Sequence, residues 1–253
     1  MAAGEFLTGW KYFFRGMRML PKRGVRKFVL IPLLIDALLS AVALYLGIRG
    51  FDSLLDHFLP AGESFILQAA RSLLWVLFGI LVFVVVFFGA AILANLVGAP
   101  FNGFLSEKVE EVAAGRKPES QVGIIHAFTR SLAGEVRKFL FFTAISAGLF
   151  LLSLFPPTGV VTPFLWYLFS SWVFAVEYVS YPLESRGMYF RDARRLVNSR
   201  FFLFLGFGTA TLIVTTIPLL NFIAMPSAVA GATLLYVERV EGREGKGLTG
   251  VKS

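Results

Sequence analysis

Two long apolar stretches dominate the first half of the chain. Residues 28–48 are interrupted only by Pro32 and Asp36, and residues 72–97 contain no charged residue. A helix needs about 20 apolar residues to cross a hydrocarbon core roughly 30 Å thick. The pattern therefore predicts transmembrane helices at 28–48 and 72–97.

Two further apolar stretches, residues 139–176 and 201–237, are each broken near the middle by proline. The breaks lie at Pro156 and Pro157 in the first stretch and at Pro218 in the second. Each half is about 26 Å long at 1.5 Å per residue, which is the lower limit for a crossing. Because neither break carries a charged residue, the pattern favours two helical hairpins that penetrate the membrane partly. A conventional protein with six crossings is the alternative.

Lysine and arginine are distributed unequally among the segments that connect these stretches. Of the 24 basic residues, two lie in residues 49–71. The other 22 lie in residues 1–27, 98–138, 177–200 and 238–253. Cytoplasmic segments carry an excess of Lys and Arg, so the distribution predicts an external 49–71 loop, cytoplasmic termini and a polar cytoplasmic tail at 238–253.

The overall composition favours an integral membrane protein and excludes several other classes. Hydrophobic residues make up 57% of the 253 residues and charged residues 16%, whereas soluble domains carry about 25% charged residues. The chain has no cysteine, which excludes disulfide scaffolds and thiolate metal sites. The net charge of +8 follows from the basic cytoplasmic segments and does not require a nucleic-acid partner.

The sequence lacks the usual motifs for catalysis and cofactor binding. It has no nucleotide-binding P-loop and no serine nucleophile elbow. His57 and His126 lie far apart, without the spacing of metal ligands. We therefore expect no enzyme, no cofactor and no metal site. The expected fold is an all-α integral membrane protein, a single membrane domain over 1–253, with two long transmembrane helices, two proline-broken hairpins and amphipathic interfacial helices.

The first 27 residues predict an amphipathic helix followed by a basic turn. Apolar side chains and basic side chains recur on two separate faces, with Phe6, Trp10, Phe13, Met17 and Leu20 on one and Lys11, Arg15, Arg18 and Lys22 on the other. Such a helix lies in the headgroup plane with its apolar face towards the lipid. We expect it to act as an interfacial anchor.

The turn formed by Gly24, Val25, Arg26 and Lys27 is a candidate anion site, because it directly precedes the first apolar stretch. A helix N-terminus already carries partial positive charge, so two basic residues in its first turn oppose the helix dipole. A bound anion would resolve this conflict, since amide groups after Gly24 can point at it and Arg26 can donate two hydrogen bonds. The alternative is that both cations contact lipid phosphates at the cytoplasmic surface.

Acidic residues within or beside the apolar stretches are candidate pathway residues. Asp36 lies about two turns into the first crossing, where a carboxylate is costly unless it faces protein or water. It either belongs to a pathway or makes a hydrogen bond between helices. Beyond the second crossing, Glu107 lies nearest the membrane, and with Glu110 and Glu111 it predicts a solvated acidic face.

A mixed cluster of charges precedes the first hairpin. It contains Arg130, Glu135 and Lys138, together with His126 and Arg137. These side chains either guide an anion towards the hairpin, or pair with one another and extend their charged ends to the membrane surface.

An ordered set of short motifs resembles the CysZ family of bacterial sulfate permeases. The motifs cover nearly the whole chain with similar spacing: Gly9-Trp10-Lys11, Gly24-Val25-Arg26-Lys27-Phe28 with Pro32-Leu33-Leu34, Ala99-Pro100-Phe101-Asn102-Gly103, Leu165-Trp166-Tyr167-Leu168-Phe169-Ser170-Ser171-Trp172, Tyr181-Pro182, Ile217-Pro218-Leu219-Leu220-Asn221, Met225-Pro226 and Gly231-Ala232-Thr233.

The resemblance implies an inner-membrane sulfate permease or channel that takes up sulfate for cysteine biosynthesis and assembles as a homo-oligomer. It also implies that sulfate binds at the glycine turn opening the first crossing, which by position is Gly24, Val25, Arg26 and Lys27. Lys27 stands where the family usually has a second arginine, and it lacks the planar fork of that side chain.

Further roles are carried over only where the residues match the family. Arg130, Glu135 and Lys138 match charged positions of the family and become further pathway candidates, whereas Ser185 and Arg186 depart from the family pattern and receive no role. A non-transporting membrane scaffold is the alternative function, in which the hairpins shape the bilayer and the basic clusters contact anionic lipid.

Overall fold

The computed structural model describes residues 2–58, 64–115 and 124–241, with side chains described in these ranges except at 36, 58, 83, 86–100, 124–135, 218 and 219. This part of the chain is helical and has no strand. Its α-helices are α1 (Ala2–Met19), α2 (Arg26–Phe58), α3 (Phe65–Ala114), α4 (Ile124–Ser153), α5 (Thr162–Glu184), α6 (Phe190–Ser199), α7 (Phe201–Thr216) and α8 (Pro218–Leu235). A 3-10 turn at Pro156–Thr158 precedes α5, and a π-helical turn at Tyr236–Glu241 follows α8.

Four of the described helices contain segments that are long and apolar enough to cross a membrane. The segments are Arg26–His57, Phe65–Val82, Val136–Ser153 and Leu220–Glu241. α6 and α7 also qualify when taken as a pair, but they are bent by 109° at the residue between them. The prediction of an all-α membrane protein is confirmed.

Both proline-containing breaks separate consecutive helices. The Pro156–Thr158 turn lies between α4 and α5, and Ile217 lies between α7 and α8. A proline cannot continue a helix, because it lacks the amide donor and its ring clashes with the preceding turn. At the first break Val160 is 91% exposed, which suits an apolar tip in contact with lipid. The depth to which the hairpins penetrate stays a prediction.

The chain forms two compact units. One is Leu30–Phe101, and the other combines Met1–Val29 with Asn102–Ser253. The smaller unit therefore contains most of α2 and the larger part of α3. The larger unit contains α1 and α4 to α8, together with the last part of α3.

Aromatic side chains connect α2 and α3 within the smaller unit. Phe51 stacks on Phe78 with ring centroids 3.7 Å apart, and Trp75 meets both rings edge-on. Nearby, Arg71 donates to the carboxylate of Asp56 at 2.5 Å. Many other apolar side chains of this unit are exposed, as expected for helices whose surroundings are lipid.

In the larger unit, the backbone of α1 lies directly against those of α7 and α8. A Cβ atom added to Gly9 would overlap the carbonyl oxygen of Leu203 on α7, and one added to Gly16 would overlap that of Ser227 on α8. Phe13, between the two glycines, is fully buried. Small residues allow this close approach, which is the usual way in which helices associate in lipid.

This contact corrects the expected orientation of α1. Its apolar stripe was assigned to the lipid, but Phe13 and Leu20 of that stripe are buried in protein. The physical reason is that Gly9 and Gly16 leave a groove along α1 into which the neighbouring helices fit. α1 is therefore a packed part of the larger unit, and its position in the headgroup plane stays a prediction.

Polar contacts fix both α1 and α5 in the larger unit. Arg15 donates two hydrogen bonds to the carboxylate of Glu238, at 2.6 and 2.7 Å, and the Tyr12 hydroxyl donates to the same group at 2.8 Å. Between α5 and α7, the Tyr167 hydroxyl donates to Thr209 at 3.0 Å.

The glycine contacts of α1 predict opposite effects for two identical substitutions. Gly16→Ala places a methyl group 2.6 Å from the Cα atom of Gly231, so we expect it to destabilise the fold by about 1–3 kcal/mol. Gly4→Ala lies on the same helix, and its Cβ meets nothing within 4 Å. It should leave stability unchanged or raise it slightly through helix propensity. Thermal unfolding of the purified protein in detergent checks both, and an equal effect of the two would contradict the close contact.

Candidate anion-binding site

The candidate site lies in the turn that joins α1 to α2. Gly24 has a φ of +91°, a conformation that residues with a side chain rarely adopt. The amides of Val25 and Arg26 both donate to the carbonyl of Lys22, at 3.1 and 3.2 Å. The reversal at Gly24 therefore ends one helix and starts the next within a few residues.

Burial of Val25 fixes the turn and leaves its charges outside. The Val25 side chain has no exposure and Val29 is also buried, whereas Arg26 and Lys27 are exposed. The ammonium group of Lys27 lies 5.1 Å from the ring centroid of Phe28. Burial of Val25 thus anchors the turn, and the side chains of Arg26 and Lys27, the first two residues of α2, are exposed.

The hydrogen bonds within the turn change which groups can hold an anion. We expected the amides after Gly24 to point at it, but those of Val25 and Arg26 are already bonded to Lys22. Among the side chains of the turn, the guanidinium group of Arg26 and the ammonium group of Lys27 are exposed and can donate to an anion. Recognition at this turn would therefore depend on side-chain charge more than on backbone amides.

Lys108 on α3 is a third cation at the turn, and the sequence gives no signal for it. A Cβ atom on Gly24 would lie 3.1 Å from Cε and 4.0 Å from Nζ of Lys108. The same ammonium group contacts the carboxylate of Glu111 at 2.8 Å. Phe104, one helical turn earlier, lies 6.4 Å from the ring of Phe28. This face of α3 therefore lies against the turn.

The opposite face of α3 carries a polar seam, which we define as Asn102, Ser106 and Glu110. These residues are spaced four apart and are all buried. Asn102 contacts the sulfur of Met225 at 3.2 Å, and the hydroxyl groups of Ser106 and Thr233 lie 2.9 Å apart. The seam thus joins α3 to α8 with polar contacts inside the larger unit.

Glu110, at the end of the seam, corrects the expected solvated acidic face. It is 2% exposed and accepts two hydrogen bonds from Arg186, at 2.5 and 3.0 Å. Arg186 also reaches Glu241 at 3.4 Å and lies over the ring of Tyr236, 4.8 Å from its centroid. The family resemblance gave Arg186 no role, and nothing in the sequence indicates its partners, which come from distant parts of the chain.

Glu107 lies between the two faces of α3 and is partly buried. Burial raises the pKa of Glu107, and the neighbouring carboxylate of Glu110 raises it further. Its negative charge is therefore less stable here than in water, which keeps Glu107 a candidate for a group that changes charge.

Of the remaining predicted pathway residues, only the side chain of Lys138 lies in the described part of the structure. Lys138 is 7% exposed and contacts the carboxylate of Glu177 at 2.8 Å, so it pairs between α4 and α5. The side chains of Asp36, Arg130 and Glu135 lie outside the described part of the structure.

Comparison with known proteins gives matches over most of the chain. A family model described as "Sulfate transporter CysZ/Etoposide-induced protein 2.4" matches residues 12–226. A protein named "Sulfate transporter CysZ" from Pseudomonas aeruginosa (strain LESB58) is 36% identical over 94% of this chain and 97% of its own length. Relatives of the same name occur in Pseudomonas fluorescens (strain Pf0-1), 37% identical over 94% and 96%, and in Vibrio atlanticus (strain LGP32), 36% identical over 91% and 92%.

The buried ion pair predicts a strong dependence of stability on Arg186. Arg186→Met leaves the Glu110 carboxylate buried without its main partner, which we expect to cost about 3–5 kcal/mol. Adding Glu110→Gln removes the buried charge and should restore part of that loss. Arg191→Met, an exposed arginine on α6, should change stability by less than about 0.5 kcal/mol. Thermal unfolding of the three variants and the wild type measures these differences. If Arg186→Met changed stability no more than Arg191→Met does, the stabilising role of the ion pair would be refuted.

Proposed function

The chain belongs to the family of sulfate transporter CysZ and etoposide-induced protein 2.4, and from this premise we propose that it is an inner-membrane permease for sulfate. Relatives that match more than nine tenths of the chain carry the name sulfate transporter. Uptake of sulfate for cysteine biosynthesis and assembly as a homo-oligomer are parts of the same proposal. The observation that supports the site is a glycine turn that carries Arg26 and Lys27 and lies beside the side chain of Lys108.

The proposed sulfate site consists of Gly24, Val25, Arg26 and Lys27, with Lys108 as an additional cation. Gly24 permits the chain reversal, and Val25 holds the reversal in place by burial. Arg26 can bind a tetrahedral oxyanion through two parallel donors, whereas Lys27 and Lys108 contribute point charges. The N-terminus of α2 adds the partial positive charge of its helix dipole.

The driving force in this proposal is a gradient across the membrane. The sequence has no nucleotide-binding P-loop, so no hydrolysis step is assigned to this chain. Asp36 and Glu107 are the candidate carboxyl groups for proton coupling in this proposal, and burial raises the pKa of Glu107.

Arg26→Ala should weaken sulfate binding roughly ten- to hundredfold, because a hydrogen bond to a charged group contributes about 1.5–3 kcal/mol. The measurements are equilibrium binding of radiolabelled sulfate to the purified protein and its flux into proteoliposomes. Arg18→Ala provides the matched control, since Arg18 is an exposed arginine of α1 before the turn. It should change either quantity little.

Two results would overturn the proposal at different levels. Unchanged sulfate binding in a folded Arg26→Ala variant would remove the turn as the site but leave the permease function. Wild-type flux no greater than that of empty vesicles would remove the permease function and favour the scaffold alternative.

Lys108 and Glu111 should affect sulfate affinity in opposite directions. Lys108→Gln removes a cation beside Gly24 and should weaken binding, whereas Glu111→Gln removes the carboxylate that competes for that cation and should strengthen it. Each change should be at most about fivefold, since an exposed ion pair contributes up to about 1 kcal/mol. Sulfate titrations of both variants at one ionic strength provide the measurement. Changes of the same sign would show that Lys108 does not take part.

A further inference from the structure

A groove lined by aromatic side chains opens on the larger unit, away from the anion-binding turn. It has a volume of about 470 Å³, within the range of roughly 300–1,000 Å³ typical of small-molecule sites. Its walls come from α4, α5, α6 and α7 and include Phe141, Leu168, Phe169 and Trp172, with Arg194 and Asn198 on α6. The lining is apolar except for those two polar residues on one side.

Arg194 presents its charge to the groove without a carboxylate partner among the described residues. Its guanidinium carbon lies 4.8 Å from the ring centroid of Phe141 and 5.8 Å from that of Phe190. Two aromatic faces therefore hold the planar group in position through cation–π contacts. A guanidinium group held this way keeps its hydrogen-bond donors for an external acceptor.

Asn198 supplies a second donor on the same side of the groove. Its side-chain oxygen accepts a hydrogen bond from the indole nitrogen of Trp172 at 2.8 Å. This bond uses the acceptor of the amide and leaves the NH2 group available to donate. Arg194 and Asn198 lie one helical turn apart, so their donors are on one face of α6.

The composition of α6 and its bend suit a helix at the level of the lipid headgroups. α6 buries Phe190, Ala193 and Val197 and exposes Arg191 and Arg195. It meets the apolar α7 at an angle of 109°. A short basic amphipathic helix bent away from an apolar one is typical of a segment that lies in the membrane interface. Tryptophan, such as Trp172 in the groove, also favours this level.

We propose that this groove is a binding site for one anionic phospholipid, with an acyl chain along the aromatic wall and the headgroup phosphate at Arg194 and Asn198. The aromatic wall matches the chain, and the two donors match phosphate oxygens. The Arg194 cation favours a headgroup of net negative charge over a zwitterionic one, whose ammonium group it repels.

Charge also argues for a lipid rather than a second copy of the chain. The protein carries a net charge of +8, and 22 of its 24 basic residues lie in the four segments assigned to the cytoplasmic side. A second copy approaching α6 at that level would bring further cations towards an arginine-rich helix. Anionic lipid is the neighbour of opposite charge at that depth.

Quenching of Trp172 by brominated lipid tests the site directly. The protein is reconstituted into phosphatidylcholine vesicles with increasing amounts of phosphatidylglycerol whose acyl chains carry bromine, and fluorescence is compared with that of Trp172→Phe. We expect saturable quenching of the Trp172 signal by brominated phosphatidylglycerol, and weaker quenching by an equal amount of brominated phosphatidylcholine. Equal quenching by the two lipids would overturn the proposal.

Two variants with the same loss of charge locate the headgroup contact. Arg194→Gln should weaken the phosphatidylglycerol effect about tenfold, and Arg191→Gln, exposed on the same helix and not lining the groove, should leave it nearly unchanged. Equal losses in both variants would mean that the basic surface attracts lipid without a site.

A third variant separates lipid from protein as the occupant and does not depend on Arg194. Ile145→Phe enlarges a side chain that lines the groove from α4 and fills part of the groove without adding a second tryptophan to the fluorescence signal. It should abolish the preference for phosphatidylglycerol while the oligomeric state in detergent, measured by light scattering, stays that of the wild type. A changed oligomeric state with an unchanged lipid preference would assign the groove to a contact between copies and overturn the proposal.

Discussion

The larger unit depends on the contact between the backbone of α1 and those of α7 and α8. In lipid, apolar side chains gain little by leaving the hydrocarbon, so helices associate through close packing and polar contacts. Gly9 and Gly16 provide the packing, and Arg15 with Glu238 provides the polar contact. Since α1 ends only a few residues before Gly24, this contact determines the position of the candidate site.

α8 extends that constraint to the third cation of the site. One side of α8 holds α1 at Gly16, and another side holds α3 through the seam contact between Thr233 and Ser106. Gly24 and Lys108 are far apart in the sequence, but both are positioned relative to the same helix. The ion pair between Glu110 and Arg186 adds a further connection, from α3 to the end of α5. The positions of the turn and of Lys108 are thus determined by the packing of α1 and α3 against α8.

The sequence predicts those features of the protein that depend on local chemistry. The length of an apolar run and the position of a proline determine where helices can cross and where they break, and the all-α membrane fold follows from them. The turn at Gly24 can likewise be predicted from the sequence, because a chain reversal favours glycine. The contacts of Glu110 and Lys108 cannot be predicted from the sequence. An acidic or basic residue on a polar helix face gives the same sequence pattern whether its partner is water or a distant side chain. α1 is an intermediate case: a face that meets lipid and a face that meets other helices are both apolar, and the distinguishing signal is the pair Gly9 and Gly16.

The exposure of the turn bears on how a permease site could work. A conducting site has to bind strongly enough to capture the ion and weakly enough to release it. Three unpaired cations in a dry cavity would hold a dianion too firmly, because the Coulomb energy rises steeply as the effective dielectric constant falls. Here Arg26 and Lys27 are exposed to solvent, and Lys108 is shared with Glu111, so screening and competition both weaken the site. Under the same screening, the attraction for a doubly charged anion is about twice that for a singly charged one. At the proposed site, sulfate would therefore be preferred over chloride because of its double charge. Because the site is exposed, release of the anion would not require a closed cavity to open.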